Sequence, residues 1–247
     1  MKVALFASCV ADQLYPEVAR SVGRVLRHYD CELSFPPSQV CCGQPALNSG
    51  YFAEARRVAS VLVDALADTD YVVAPSGSCA AMVHHHYAEL FRDDPKRGAA
   101  AERLSSKIYE FSQFMVKVLK VDRIPGSFPH AVTFHPSCHA TRLLGVRSEP
   151  LSLLSAVPGV ELVPLPHAED CCGFGGTFAI KLPEISAAIA DEKLRHVSGT
   201  GARYLVGTDL GCLMHLAGRM QRRGMAIEAL HIAQLLDRAL GAAPEAA

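Results

Sequence analysis

The stretch Val3–Cys9, VALFASC, returns at Val132–Cys138 as VTFHPSC, and that recurrence decides the fold. Two further blocks recur with it. CCG at Cys41–Gly43 comes back at Cys171–Gly173, and YVVAPSGSC, ending at Cys79, comes back as YLVGTDLGC, ending at Cys212. The offsets are 129, 130 and 133 residues. Such near-constant spacing marks a duplicated unit. The likeness extends to YEFSQFMVKVL (Tyr109–Leu119) and LHIAQLLDRAL (Leu230–Leu240), which share Gln113 and Gln234 in a similar apolar pattern. The first half is longer between Cys79 and Gln113. The polar stretch RDDPKRGAAAERL (Arg92–Leu104) accounts for the excess as a loop or an added helical turn. The chain therefore reads as two homologous halves, residues 1–124 and 129–247, divided near the Pro- and Gly-bearing RIPGSFPH, Arg123–His130.

Within each half strands and helices alternate. KVALFA is a short apolar run ending in a loop, as a buried strand does. Pro16 is suited to the first turn of a helix, with Val18, Val22, Val25, Leu26 and Tyr29 on one face. ELSF follows as an alternating strand. The run from Glu54 to Leu66 places Val58, Val61, Leu62, Ala65 and Leu66 on one helical face, and YVVAP is another buried strand closed by Pro75. This order predicts an α/β fold with two Rossmann-like halves, each a mainly parallel sheet flanked by helices, related by a pseudo-two-fold duplication. Ligands of such sheets collect in the loops beyond the carboxyl ends of the strands. Cys9, Cys79, Cys138 and Cys212 sit just past predicted strands, and the CCG turns follow strands after short loops. The sequence thus brings four cysteines per half to one rim.

Four converging thiolates hold either a [4Fe–4S] cluster or a tetrahedral zinc ion. Adjacent cysteines in CCG fit poorly round one small ion, whereas a cluster several ångströms across offers them separate iron atoms. Gly43 and Gly173 let the turn take positive φ and approach an inorganic core closely, and Gly175 and Gly176 allow the same in the second half. Structural zinc usually shows paired CxxC knuckles, which the sequence lacks. Disulfide exchange by vicinal cysteines is a further alternative. Of the nine cysteines, Cys31 alone stands outside the repeat; it alternates with Leu33 and Phe35 and reads as a core residue.

Composition narrows the functional classes. Acids (25) and bases (24) nearly cancel over 247 residues, so no basic field is available for nucleic acid. MKVALFASCVADQ resembles a first strand more than a signal peptide, and no apolar run reaches the length of a membrane span. The chain reads as cytoplasmic and not as an integral membrane protein, and its cysteines as metal-binding or redox groups rather than a disulfide framework.

These residues resemble the CCG-domain, or cysteine-rich-domain, iron–sulfur proteins, which include the B subunit of heterodisulfide reductase and the iron–sulfur subunit of glycolate oxidase. The resemblance runs from end to end, through FASCVADQLYPEV, CCGQPALNSGY, APSGSCAAMV, FHPSCH, CCGFGGTF and TDLGCLMH. It implies Cys9, Cys41, Cys42 and Cys79 as ligands of one iron–sulfur cluster, and Cys138, Cys171, Cys172 and Cys212 as ligands of another. It also implies an electron-carrying subunit, inactive alone, of an oxidoreductase complex that oxidises L-lactate to pyruvate with further iron–sulfur subunits. One departure stands out. The full family motif ends each half with CxxC, and here Ser76 and Asp209 occupy the first position of that pair. That weighs against a five-cysteine non-cubane cluster and heterodisulfide-reducing catalysis, and leaves Ser76 and Asp209 as helix caps or oxygen ligands.

Other candidates are weaker. His84, His85 and His86 occupy consecutive helical positions about 100° apart, so they share no face and read as an exposed or partly packed run. His135 and His139 flank Cys138, where they are either plain loop polarity or donors of hydrogen bonds to cluster sulfur. GFGG near residue 175 follows CCG with the wrong spacing for a dinucleotide fingerprint.

Overall fold

A computed structural model describes residues 1–241; residues 242–247, the end of the expected second domain, lie outside the described residues. The first half runs β1 (Lys2–Leu5), α1 (Cys9–Leu14), α2 (Pro16–His28), β2 (Glu32–Ser34), α3 (Gln44–Asn48), α4 (Phe52–Ala65), β3 (Tyr71–Ala74), α5 (Gly77–Leu90), α6 (Pro95–Lys107), β4 (Ile108–Glu110) and α7 (Phe111–Lys117). The second runs β5 (Ala131–His135), α8 (Cys138–Arg142), α9 (Ser148–Ser155), β6 (Glu161–Val163), α10 (Thr177–Lys181), α11 (Pro183–Gly199), β7 (Tyr204–Gly207), α12 (Leu210–Arg222), β8 (Glu228–His231) and α13 (Ile232–Ala239).

Each half contains a four-stranded, all-parallel sheet, in order β2-β1-β3-β4 and β6-β5-β7-β8. Corresponding residues occupy corresponding registers: Val3 pairs Tyr71 and Val132 pairs Tyr204. The chain leaves β1 towards β2 on one side and returns to β3 on the other. The switch point of each sheet therefore lies between its two central strands, where the loops part and leave a crevice. Cys9 and Cys79 follow those two strands in the first half, and Cys138 and Cys212 follow them in the second.

The halves share a core. The largest cluster of buried side chains joins Val3, Val22, Leu26 and Phe114 of the first half to Val132, Leu153, Val206 and Leu236 of the second. Two smaller clusters fill the far side of each sheet. Helix α2 packs on α13 and α7 on α9, so each half is covered partly by the other. The buried Asp237 carboxylate on α13 accepts from Ser21 Oγ at 2.7 Å and pairs with Arg24 of α2 at 2.5 Å. The segment between the halves is packed as well. Ile124 and Phe128 are buried, and Phe128 N donates to Pro158 O at 2.9 Å.

Three local features depart from, or add to, the sequence pattern. Helix α4 buries Ala55, Ala59, Leu62, Val63 and Leu66, while Val61 is 42% exposed. The CCG turn lies against the start of this helix, with Gly43 packed over the Ala55 backbone and beside the Val58 side chain. Arg92–Leu104 contributes most of a full helix, α6, whose N-cap Asp94 accepts from Arg97 N at 3.0 Å with Pro95 in the first turn. Strands β4 and β8, three and four residues long, complete the sheets and lead directly into α7 and α13. Cys31 is buried in the shared core, as its alternation with Leu33 implies.

Candidate metal centre

The cysteines gather because each is fixed by a local device. Ser8 caps α1 through Ala11 N and places Cys9 at its first position. Gly43 and Gly173, at φ 87° and 90°, close the CCG turns in a conformation that L side chains rarely adopt. A Cβ on Gly173 would lie 2.5 Å from Ser186 O, so the second turn is pressed onto α11. Their amides point back at sulfur: Gly43 N donates to Cys41 Sγ at 3.5 Å and Gly173 N to Cys171 Sγ at 3.3 Å. Gly175 and Gly176 also have positive φ. Ser76 caps α5 by accepting from Cys79 N, and Asp209 caps α12 by accepting from Gly211 N and Cys212 N.

In the first half Cys9 and Cys41 lie 3.6 Å apart, Sγ to Sγ, and Cys42 and Cys79 lie 3.4 Å apart. In the second, Cys172 and Cys212 approach to 3.1 Å, with Cys138 and Cys171 on the more open side. Cys42, Cys79, Cys172 and Cys212 are buried, the other four are partly or fully exposed, and all eight are free thiols. A single cavity of about 190 Å³ is lined by every one of these eight cysteines. The sequence placed four on each rim; the structure brings the two rims face to face.

Crowded thiols cannot all ionise. Hydrogen bonds from Cys42 and Cys9 hold Cys41 well below the usual thiol range. Cys9 is pushed up by its bond to Cys41 and by burial, and Cys42 by its bonds to Cys41 and Cys79 and by burial. In the second set the bond to Cys172, then burial, raises Cys171. Burial, then the neighbouring Cys171, raises Cys138. A bound cation reverses this balance by stabilising every thiolate together. Two sets of soft sulfur donors, held in glycine-bearing turns round one cavity, suit metal or iron–sulfur binding.

Ser76 and Asp209 serve as caps, and they also meet each other. Ser76 Oγ donates to Asp209 Oδ2 at 3.1 Å, Ser78 N donates to the same oxygen at 2.8 Å, and the two residues form an antiparallel bridge. They are repeat counterparts, so this bridge sits where a two-fold axis relating the halves would pass. His139 Nδ1 lies 3.7 Å from Cys138 Sγ. His135 is fully buried, with both ring nitrogens lacking a partner among the described residues, and burial lowers its pKa to about 3. One ring nitrogen lies within 4.8 Å of both Cys172 Sγ and Cys212 Sγ. The histidine run stands apart: His84 Nδ1 meets Ser105 O at 2.9 Å and His85 Nε2 meets Leu143 O at 2.7 Å.

Several polar residues near the centre were not visible as site residues in the sequence. Tyr87 donates to Cys42 O at 2.9 Å and fixes the first turn. Lys193, buried in α11, donates to His167 O at 2.9 Å and Ala168 O at 2.6 Å, anchoring the loop before the second CCG. Glu110 and His231, counterparts in the repeat, are the buried N-caps of α7 and α13. A residue-by-residue overlay of the two halves exposes Lys193 and Tyr87, which stand opposite Leu62 and Met220.

The family model of the cysteine-rich domain, CCG, matches the chain twice, at residues 3–84 and 132–217, and the chain belongs to that family. Within it, the chain is 49% identical to Lactate utilization protein A of Halalkalibacterium halodurans, over 96% of this chain and 97% of that protein. It is 50% identical to Lactate utilization protein A of Shouchella clausii, over 96% and 99%. Among solved structures, a hypothetical protein from Helicobacter pylori superposes with a TM-score of 0.68 at 11% identity. That match covers 99% of this chain and half of the other, and it bears on the fold alone. No helix among the described residues is long and apolar enough to cross a membrane.

Proposed function

We propose that Cys9, Cys41, Cys42 and Cys79 hold one [4Fe–4S] cluster and that Cys138, Cys171, Cys172 and Cys212 hold a second. On this reading the chain is a cytoplasmic electron-transfer subunit of an L-lactate-oxidising complex, working with further iron–sulfur subunits. The observation that carries it is the pairing of two repeated sets of four free thiols across one cavity. The relatives named for lactate utilization supply the metabolic setting. Bound clusters would supply one-electron acceptance and release. The chain's own part is to present thiolates, through the caps and glycine turns, and to limit water at the buried pairs Cys42–Cys79 and Cys172–Cys212. Ser76 and Asp209 are engaged as caps at the positions of the absent fifth thiols, which disfavours catalysis of the heterodisulfide reductase kind.

Anaerobic purification with metal analysis and EPR tests the reading. Brown protein with about four irons per half and a reducible spectrum supports it; colourless protein with stoichiometric zinc refutes it in favour of a non-redox zinc scaffold. Cys42→Ser and Cys172→Ser should each lower iron content by roughly half, and unchanged iron in either variant removes that cysteine from the ligand set.

A further inference from the structure

We propose that the two cysteine sets are inequivalent, the second forming the more readily reduced centre, so that an electron shared by the pair resides on the second. The proposal rests on the reading that both sets hold iron–sulfur clusters, and its ground is an asymmetry between the halves. Helices α4 and α11 bury corresponding residues: Ala55, Ala59, Leu62, Val63 and Leu66 in one, Ser186, Ala190, Lys193, Leu194 and Val197 in the other. Lys193 therefore stands where the first half has Leu62. By the same correspondence His135 stands for Phe6 at the end of β5, and His215 for Met82 on α12. Three apolar positions round the first set are thus nitrogen-bearing positions round the second.

Each of the three is turned to the second set or its turn. His135 presents a ring nitrogen to Cys172 and Cys212, and both its nitrogens are buried without a partner among the described residues. Phe6, equally buried, has nothing to donate. A neutral imidazole carries one N–H, and the Cys172 and Cys212 sulfurs lie within 4.8 Å of one ring nitrogen. Lys193 brings an ammonium group into the interior beside the same cysteines, held by two carbonyls of the loop before Cys171. His215 Nε2 lies 3.2 Å from Ser186 Oγ, against the Gly173 turn. Hydrogen bonds to sulfur and nearby positive charge favour the reduced, more negative form of a cluster and raise its potential. Asp209 acts in the opposite sense on Cys138 and Cys212, but its oxygens are engaged by four donors, Gly211 N, Cys212 N, Ser78 N and Ser76 Oγ. In the exchange the first centre loses one electron and the second gains it; no proton or outside reagent takes part.

An EPR-monitored potentiometric titration of the anaerobic, iron-loaded full chain decides the matter. The wild type should show two one-electron steps. Cys172→Ser should abolish the step at higher potential and Cys42→Ser the step at lower potential. His135→Phe, which copies the first half's own residue, should move the higher step downward and leave the lower one in place. His135→Gln, which keeps an N–H, should restore much of the shift. The reverse assignment, coincident steps, or iron-replete His135→Phe protein with both potentials unchanged overturns the proposal. If His135→Phe fails to load iron, the two cysteine variants still fix the order. An iron-free wild-type chain is a different failure, because it refutes the cluster reading itself.

Discussion

Ser76 Oγ donates to Asp209 Oδ2 at 3.1 Å, so two residues at the same place in the repeat cap their own helices and also bind each other across the molecule. The Asp209 carboxylate is buried and receives four donors from both halves. Asp209→Ala leaves those donors without an acceptor and should cost about 2–4 kcal/mol. Ser76→Ala removes one cap and should cost about 1 kcal/mol. Urea denaturation of both variants and the double variant should show a double-variant cost below the sum, because they share an interaction. Strict additivity would deny the coupling.

The two CCG turns differ in tightness. A Cβ on Gly173 meets Ser186 O at 2.5 Å, whereas one on Gly43 meets Ala55 O at 3.3 Å, and both have positive φ. Gly173→Ala should therefore cost roughly 2–3 kcal/mol and Gly43→Ala about 1 kcal/mol. Thermal melts rank them directly, and the reverse ranking would contradict the packing described.

Glu110 and His231 give opposite pH dependences from corresponding positions. Burial raises the Glu110 pKa to about 7 from an ordinary 4.5 and lowers that of His231 to about 4 from 6.5. Between pH 4.5 and 7 the folded chain keeps a proton on Glu110 that the unfolded chain has lost. Stability on that account falls as pH rises, by about 3 kcal/mol in all. Between pH 6.5 and 4 the unfolded chain binds a proton that buried His231 refuses, so stability falls as pH drops by a similar amount, about 3 kcal/mol. Glu110→Gln should steepen the rise of stability between pH 4.5 and 6.5, and His231→Gln should flatten it. Denaturation across that range checks both, and an unchanged slope in either variant would assign the titration elsewhere.

Asp237 ties α13 to α2 through Ser21 and Arg24 while its own side chain is nearly inaccessible. Asp237→Ala should destabilise by about 3 kcal/mol, since it removes the buried carboxylate that accepts from Ser21 Oγ and pairs with Arg24. The loss should appear as one cooperative transition reporting on both halves. Two separated transitions, with only the second half shifted, would argue against the shared core.

Much of this was legible before the fold, for a definite reason. The cysteine repeats fall just past short apolar runs, and parallel α/β topology carries such positions to one rim. Ser76 and Asp209 were legible as caps because their partners lie two or three residues away. Their mutual bond was not, because it depends on how two halves meet. The same limit hid the face-to-face placement of the two cysteine sets. His135 was legible as a polar neighbour of Cys138, but not as a fully buried one; Lys193 had no signature in periodicity, and only comparison with Leu62 gives it one. Val61 misled because the buried face of α4 runs through Ala55, Ala59 and Leu62, and Val61 lies about 100° round the helix from Leu62.

The bridge at Ser76 and Asp209 has a consequence for what a duplicated chain can do that two identical subunits cannot. In a symmetric dimer of one half, whatever stood at that position would confront itself across the axis. Two buried carboxylates would repel, and two serines would offer fewer acceptors to the helix amides around them. Joining the copies in one polypeptide frees each to change alone, so an acid can face a hydroxyl. The same freedom lets Glu110 answer to His231, Phe6 to His135 and Leu62 to Lys193. Covalent linkage here turns self-complementarity into a division of labour.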